Sequence, residues 1–367
     1  MRITCLVKRW DHHTDSGGYD RLASAVGAKV IKQKRLTGNK SRVVKKLWSS
    51  VANTDAYLLD YRLEDRLAEQ RLLAGSMVNP PDVVHVLYGD EQLDFLLRWR
   101  SLLRCPLVAT FHLPAERTAP RFEHFQAKEI KGIDAAIVLA RSEIASFERW
   151  FGADKVVYVP HGIDTARFRP GERQSRHDEL RVLIVGEHMR DWEVAHRVID
   201  EARHHDLDIQ FDVVTRPDVF PYFTGCSNLT LHSHIPEARL IELYQEADLL
   251  FLPLKGSTAN NSLLEGLACG TPAIVSDIGG IPDYMSNDSG WLIPEGDAVS
   301  AFELIKQLCA DRDLARSRRD GARHQALKFD WRQVAERLSI VYSAVKAGRS
   351  PAAAMKEFEQ NIVVPAK

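Results

Sequence analysis

Short apolar runs alternate with longer stretches of helical periodicity through the first half of the chain. Four runs have the continuous apolar character of strands that are covered on both faces: 3–7, 83–87, 107–111 and 135–139. The stretches between them are long enough for the crossover helices that parallel neighbouring strands require. The pattern predicts an α/β domain built on a parallel sheet.

A second alternating series follows a polar break. The segment RPGERQSRHDE, residues 169–179, is rich in proline, glycine and charge, which predicts a linker. We therefore expect two Rossmann-like domains, over residues 1–170 and 180–330. The last dozen residues, which include FEQNIVVPAK, are expected to fray. The apolar runs of the second series are 180–186, 209–215, 229–235, 247–253 and 272–277.

Composition and charge narrow the function classes. A chain of 367 residues suits two domains, and a formal net charge of -1 gives no overall attraction to nucleic acid. The five cysteines are odd in number and scattered, so neither a disulfide framework nor a zinc site is predicted. No apolar run approaches the roughly 18 residues that span a bilayer. We expect a cytoplasmic protein that binds no nucleic acid.

Candidate chemistry concentrates in residues 253–297. Asn260, Asn261 and Ser262 can cap a helix that begins near Leu263, and the free N–H groups of a helix start attract an anion. Glu265 follows in the first turn, where a carboxylate can accept two hydroxyl groups of a sugar or ribose. The alternative is that Glu265 only offsets the helix dipole.

The segment LLEGLACGTPAIVSDIGGIPD, residues 263–283, resembles the donor-binding signature of family 4 glycosyltransferases. The resemblance implies the GT-B fold, in which two Rossmann-like domains, an acceptor domain followed by a donor domain, face a cleft. It also implies that a C-terminal helix at about 331–350 crosses back to the N-terminal domain. FDWRQVAERLSIVY, residues 329–342, resembles that helix and carries an apolar stripe at helical spacing.

The resemblance assigns roles to residues at the predicted strand ends. Gly17 and Gly18, after the first strand, correspond to glycines that lie against the donor phosphates. His112, at the end of LVATFH, corresponds to a histidine beside the donor sugar and is our first catalytic candidate. The glutamate equivalent to Glu265 holds the nucleotide ribose. The full predicted donor-binding set is Gly17, Gly18, Gly186, Arg190, Asn261, Ser262, Leu263 and Glu265.

The chain departs from the family pattern at three charged positions. Glu187 and Trp192 stand where the family has an arginine and a lysine that hold the diphosphate, and Ser257 replaces a glutamate that contacts the donor sugar. A leaving diphosphate still needs compensation for its charge. We predict that Arg190, in the same loop GEHMRDWE, supplies it as the second catalytic residue. The alternative is a surface ion pair of Arg190 with Asp191 or Glu193.

The resemblance implies a retaining, hexosyl-type glycosyltransferase that moves a sugar from a nucleotide-diphosphate sugar to a hydroxyl acceptor. The acceptor would be a glycan or a lipid-linked sugar, in glycan, polysaccharide or glycolipid synthesis. No cofactor is expected, and no metal, because the histidine clusters lack a third ligand at regular spacing. A catalytically impaired scaffold that partners an active glycosyltransferase is the alternative, motivated by the departures at Ser257, Glu187 and Trp192.

Two basic amphipathic stretches bear on membrane contact. Residues 39–48, NKSRVVKKLW, would either lie on anionic lipid at the inner face of the membrane or form a domain helix with a solvated basic face. For residues 96–105, LLRWRSLLRC, we favour the domain helix, because its leucines suit the element before the strand at 107–111.

Overall fold

The computed structural model describes residues 1–8, 18–34, 62–125, 127–171 and 179–363. Gly17 and the stretch 39–48 lie outside these residues. The described residues form two compact units: unit 1 joins the N-terminal residues through His161 to a C-terminal segment that begins at Trp331, and unit 2 takes in residues from Gly162 to Asp330. The domain ranges 1–170 and 180–330 stay a prediction, since compact contacts alone do not show which segments fold independently.

The described strands form two six-stranded sheets in which all pairings are parallel. In unit 1 the order is β2-β1-β3-β4-β5-β6, and in unit 2 it is β12-β11-β10-β7-β8-β9. The strands are β1 Ile3–Val7, β2 Lys29–Lys32, β3 Val83–Val86, β4 Leu107–Phe111, β5 Ala135–Val138, β6 Val156–Tyr158, β7 Leu180–Val185, β8 Ile209–Val214, β9 Leu229–His232, β10 Leu249–Leu252, β11 Ala273–Ser276 and β12 Gly290–Ile293.

Helices connect the parallel strands, as crossover connections require. Short 3₁₀ turns lie at Arg100–Leu102, Arg141–Glu143 and Pro217–Phe223. The helices are α1 Arg21–Ala25, α2 Leu63–Val78, α3 Asp94–Arg98, α4 Ala115–His124, α5 Ala127–Ile130, α6 Ile144–Phe151, α7 Trp192–His204, α8 Glu237–Glu246, α9 Asn261–Ala268, α10 Ile281–Tyr284, α11 Ala298–Ala310, α12 Arg312–Arg316, α13 Arg319–Leu327, α14 Trp331–Lys346 and α15 Pro351–Val363.

The strands in the middle of the unit 2 sheet are buried on both faces. Along β10, Leu249 and Phe251 join one apolar cluster, while Leu250 and Leu252 join another on the opposite face. This alternation explains why the strand reads as a continuous apolar run. The predicted α/β class with two Rossmann-like units is confirmed.

The C-terminal segment belongs to unit 1, which confirms the predicted returning helix. The expected fraying is wrong for the residues up to Val363, because α15 continues to that residue and packs against α14 and β6; residues 364–367 lie outside the described part of the chain. Glu359 accepts hydrogen bonds from Arg141 at 2.8 Å and Arg337 at 3.2 Å, and Met355 is buried. Such partners lie far away in sequence, so local pattern did not show them.

The stretch 96–105 forms no single helix. It divides between α3 and a 3₁₀ turn, with Leu96, Leu97 and Leu103 buried as the domain interpretation predicts, whereas Trp99 and Leu102 are exposed. Over the ranges that the structure describes, every helix is too short or too polar to cross a lipid bilayer.

Gly266 allows α9 to approach the sheet closely. A Cβ at this position would lie 2.6 Å from a methyl carbon of Leu250 on β10. Gly75, inside α2, has no atom within 4 Å of the corresponding point. The two helical glycines therefore differ in packing and share the same conformational cost.

We predict opposite effects of alanine at these two glycines. Gly266→Ala should destabilise the protein by about 1–3 kcal/mol, because the buried Leu250 has little room to move. Gly75→Ala should stabilise it by roughly 0.5–1 kcal/mol, because alanine favours the helix. Thermal unfolding of the two variants beside the unchanged protein measures both effects. Equal shifts in the same direction would contradict the close packing of α9.

Candidate active site

Two loops of unit 2 follow neighbouring strands of the parallel sheet. The loop 186–191 follows β7, and the loop 253–260 follows β10 and leads into α9. In an open parallel sheet, the carboxyl ends of the strands form the edge where ligands bind. The predicted donor residues of unit 2 therefore come from one edge of one sheet.

A short antiparallel pairing joins these two loops. The N–H of Asp191 donates to the carbonyl of Pro253 at 2.9 Å, and the N–H of Lys255 donates to the carbonyl of Met189, also at 2.9 Å. Between these bonds, Arg190 and Leu254 form an isolated antiparallel bridge. The loop after β7 is thus fixed by its backbone to the loop after β10.

Arg190 is buried by this pairing, with 7% of its surface exposed. Its Nε donates to the carbonyl of Val185 at 2.7 Å, and its Nη1 donates to the carbonyl of His188 at 3.3 Å. Burial lowers the pKa of the guanidinium to about 10. Among the described residues, no carboxylate lies within ion-pair distance of it, and the Glu265 carboxyl acts on it as a more distant charge that raises the pKa. The alternative of a surface pair with Asp191 or Glu193 is therefore wrong.

The Arg190 guanidinium lies beside the start of α9. Gly186 has a φ of 104°, and a Cβ there would lie 2.5 Å from Nη2 of Arg190 and 3.2 Å from Oγ of Ser262. Only glycine leaves room for this approach at such a φ. The structure thus brings together three of the predicted donor residues: Gly186, Arg190 and Ser262.

The helix α9 begins two residues earlier than we predicted. The side chain of Asn260 is the cap and accepts a hydrogen bond from the N–H of Leu263 at 3.0 Å. Asn261, Ser262 and Leu263 therefore form the first turn, and the N–H of Leu263 is used by the cap. The helix start supplies a positive dipole end beside the Arg190 guanidinium.

Glu265 lies one turn further along α9 and is 6% exposed. The hydroxyl of Tyr244 on α8 donates to its Oε2 at 2.9 Å. Burial raises the pKa of the Glu265 carboxyl to about 7, and Glu237 adds to this, while Tyr244 and Arg190 act in the opposite direction. The carboxylate is held by a neighbour and does not simply offset the helix dipole.

Tyr244 lies on α8 at helical spacing with Leu240 and Leu243, a pattern typical of a core residue. It is fully buried, but its hydroxyl also forms side-chain hydrogen bonds with Glu265 and Ser262. The helical spacing identifies the buried face of α8, but it does not identify the hydrogen-bond partner of a hydroxyl on that face. The chemical signal was that a buried tyrosine hydroxyl needs a partner.

The backbone at Ser257 is held by the glycine turn after β11. The N–H of Gly280 donates to the carbonyl of Ser257 at 2.8 Å, and a Cβ on Gly279, whose φ is 57°, would lie 2.1 Å from that oxygen. Glycine is therefore required at position 279 for this contact. The family glutamate is absent here, but the loop that would carry it is firmly placed.

Glu187 and Trp192, which stand where the family pattern has an arginine and a lysine, make contacts of a different kind. Glu187 lies 3.4 Å from Arg216 in an exposed ion pair. Trp192 packs edge-on against Phe223, with ring centroids 6.0 Å apart, next to an apolar cluster of unit 2. Neither position provides a positive charge to an anion.

In unit 1, His112 follows β4 and is half-buried. Its Nε2 donates to the carbonyl of Leu87 at 2.8 Å, and its backbone N–H donates to Asp90 at 2.5 Å. Its ring stacks on Tyr88 with centroids 4.6 Å apart.

The other predicted residue of unit 1, Gly18, lies just before α1, where its carbonyl accepts a hydrogen bond from the N–H of Arg21. His85 on β3 is fully buried between Tyr342 and Thr110.

A buried polar network supports His112, and sequence analysis missed it. Asp90 accepts from the backbone of both His112 and Leu113, and Arg121 donates to the carbonyls of Asp90 and Gln92. Burial raises the pKa of the Asp90 carboxyl to about 7. The available signal was the polar run YGDEQ directly after the apolar strand at 83–87. Such a run at the carboxyl end of a parallel strand marks a functional edge.

Metal ligation finds no support in the described residues. No group of three or more histidine, cysteine, aspartate or glutamate side chains there is placed to hold a metal ion. The positive charge at the unit 2 site comes from Arg190 and the start of α9.

The two parallel sheets, each covered by helices, define an α/β protein of two Rossmann-like units. Comparison with known families gives a more specific result: the family described as Glycosyltransferase Family 4 matches residues 43–167, and Glycosyl transferases group 1 matches residues 168–311. The two matches run end to end through more than half of the chain. The chain belongs to the family 4, group 1 glycosyltransferases.

Curated relatives have low identity. The chain is 28% identical over 303 residues to a D-inositol 3-phosphate glycosyltransferase of Nocardia farcinica, covering 72% of this chain and 66% of that protein. It is 26% identical over 249 residues to D-inositol 3-phosphate glycosyltransferase 1 of Catenulispora acidiphila, covering 60% of each. The alignments thus span about two thirds or less of these two relatives' own lengths.

Solved structures share the fold. Sucrose-phosphate synthase from Thermosynechococcus elongatus superposes with a TM-score of 0.70 at 18% identity, over 95% of this chain and 99% of the other. Anabaena Alr3699/HepE, solved in complex with UDP-glucose, gives a TM-score of 0.63 at 15% identity, over 92% and 99% of the two chains. The predicted GT-B fold is confirmed.

The raised pKa of Glu265 predicts that the free energy of unfolding depends on pH. The unfolded carboxyl has a pKa near 4.5 and the folded one about 7, so stability falls as pH rises between these values. Glu265→Gln stays neutral and keeps an acceptor for Tyr244. In nucleotide-free protein it should change little at pH 5 and stabilise the fold at pH 8 by on the order of 2 kcal/mol.

Thermal unfolding at both pH values measures this effect. Glu303→Gln, which alters an exposed carboxylate on α11, is the matched control and should leave the pH dependence unchanged. If Glu265→Gln and the unchanged protein kept the same difference in melting temperature at both pH values, Glu265 would carry no such cost.

Proposed function

We propose that this chain transfers a sugar from a nucleotide-diphosphate sugar to a hydroxyl acceptor, with retention of the anomeric configuration. One observation carries the proposal: the guanidinium of Arg190 is buried beside the start of α9, and among the described residues no carboxylate lies within ion-pair distance of it. Burying a charge without a counter-ion costs free energy. A bound diphosphate would supply that counter-ion.

The surrounding groups fit the rest of a nucleotide. Glu265, on the next turn of α9, would accept hydroxyl groups of the ribose while Tyr244 holds its other oxygen. The dipole of α9 and Arg190 would stabilise the charge that develops on the leaving diphosphate, so that no metal is needed. Complexes of Anabaena Alr3699/HepE with UDP and UDP-glucose support a donor of this chemical class.

Retention requires little further protein chemistry. In a same-face substitution, the departing phosphate oxygen can take the proton of the acceptor hydroxyl, so no protein base is assigned. His112 and Gly18, from unit 1, are proposed to contact the donor sugar and its phosphates. The acceptor is proposed to be a glycan, a lipid-linked sugar or another hydroxyl compound, and the names of the curated relatives make D-inositol 3-phosphate one acceptor to assay.

We further propose a cytoplasmic protein that works at the inner face of the membrane when its acceptor is lipid-linked. Residues 39–48 would make this contact, and they lie outside the described part of the chain.

The proposal is tested by binding and transfer in one series. Calorimetry with UDP, GDP and ADP identifies the nucleotide, and incubation of its sugars with an acceptor panel, followed by NMR of the anomeric proton, shows whether transfer occurs with retention. We expect micromolar nucleotide binding and a product with the donor's configuration. Nucleotide binding without transfer across the whole panel would favour the impaired-scaffold alternative.

Arg190→Met should separate ligand binding from folding. The substitution removes a buried charge and retains apolar packing, but it also removes the donor to the carbonyls of Val185 and His188, so we expect the stability of the nucleotide-free protein to change little. The loss of a charge-assisted contact should weaken nucleoside diphosphate binding about 10- to 100-fold, measured by calorimetry. Arg203→Met, on the exposed face of α7, is the control and should bind normally. Unchanged affinity in Arg190→Met would remove Arg190 from the site.

A further inference from the structure

The proposed donor site of unit 2 has one assigned cation, Arg190, and a second cation is still to be identified. A diphosphate carries at least two negative charges, whereas Arg190 already donates two of its nitrogens to the carbonyls of Val185 and His188. Because Glu187 and Trp192 provide no cation, the proposed donor site needs positive charge from another part of the chain.

Lys255 is placed to provide it. Its backbone N–H is bonded to the carbonyl of Met189, so its Cα is fixed directly beside the loop that carries Arg190. Its side chain is 53% exposed, and its ammonium lies 3.5 Å from Oδ1 of Asp191, at the start of α7. The ammonium is therefore held near the Arg190 loop on a flexible stem that water can reach.

Arg216, in the loop after β8, is less suitable than Lys255 for binding a phosphate. Arg216 is paired with both Glu187 and Asp218, at 3.4 Å and 3.3 Å, and a phosphate would have to displace two carboxylates. Lys255 has a single, longer contact with Asp191, whose Oδ1 is also engaged by the N–H of Val194 as the cap of α7. Asp191 is buried, but it keeps the N–H of Val194 as a partner when the half-exposed Lys255 side chain leaves, so the exchange for a phosphate costs little.

We propose that Lys255 is the second diphosphate-binding cation of this chain and takes the place of the lysine that Trp192 has replaced. The inference rests on the proposed function, because it names a further contact of the same donor site. Arg190 is a fixed, buried contact, and Lys255 is a mobile one that leaves Asp191 when the diphosphate binds. A compact ammonium suits a point contact with phosphate.

Lys255→Gln tests this role because it removes the charge and keeps the backbone bond to Met189. Calorimetry would compare UDP, UMP and uridine, or the corresponding series of GDP or ADP if that nucleotide binds better. Affinity for the diphosphate should fall about tenfold, affinity for the monophosphate should fall less, and affinity for the nucleoside should stay unchanged. The loss should shrink at high salt, since the contact is exposed.

Two further variants make the result specific. Lys255→Arg keeps the charge and should retain most of the diphosphate affinity. Lys306→Gln removes a similarly exposed lysine from α11 and should bind all three ligands normally. Equal diphosphate affinity in Lys255→Gln and the unchanged protein would overturn the assignment of Lys255, and so would an equal loss for the nucleoside. If the unchanged protein bound none of the three nucleoside diphosphates, the proposed function itself would fail as well.

Discussion

The unit 2 site depends on the antiparallel pairing of residues 189–191 with residues 253–255. Two backbone hydrogen bonds of 2.9 Å hold the loop after β7 against the loop after β10. Backbone bonds of this kind do not depend on side-chain identity, so the loop tolerates large changes in its charged residues. Arg190 lies at the centre of the pairing, and its burial follows directly from it.

Burial then determines the electrostatics of the site. A buried guanidinium that has no carboxylate within ion-pair distance among the described residues is disfavoured in the protein alone, and so is a buried carboxyl whose pKa is raised to about 7. Each is retained because backbone carbonyls hold Arg190 and the Tyr244 hydroxyl holds Glu265. Under the proposed function, a ligand that is anionic at one end and carries hydroxyl groups at the other would recover part of the cost of burying both groups.

Periodicity and turn residues are local properties, and they were sufficient for the α/β class with two Rossmann-like units; the returning helix came from the resemblance to family 4. Sequence was insufficient for three features that depend on distant partners. The hydroxyl of Tyr244 finds Glu265 across a helix interface, α15 is held by Arg141 and Arg337, and the pairing of the two loops joins segments about sixty residues apart. The helix boundary at Asn260 moved by two residues because three consecutive polar residues could each serve as the cap.

The departures at Glu187 and Trp192 are explained by how the loop is held. Trp192 lies at the first position of α7 and packs against Phe223, so its side chain stabilises the helix that a family lysine would leave exposed. Glu187 forms an ion pair with Arg216 on the surface and contributes no charge to the inner side of the loop. The backbone pairing of the two loops holds the Arg190 side chain beside the start of α9. The position of this positive charge therefore depends on backbone hydrogen bonds and not on exposed side chains. A loop built this way can lose both family cations and keep a cation at the helix start.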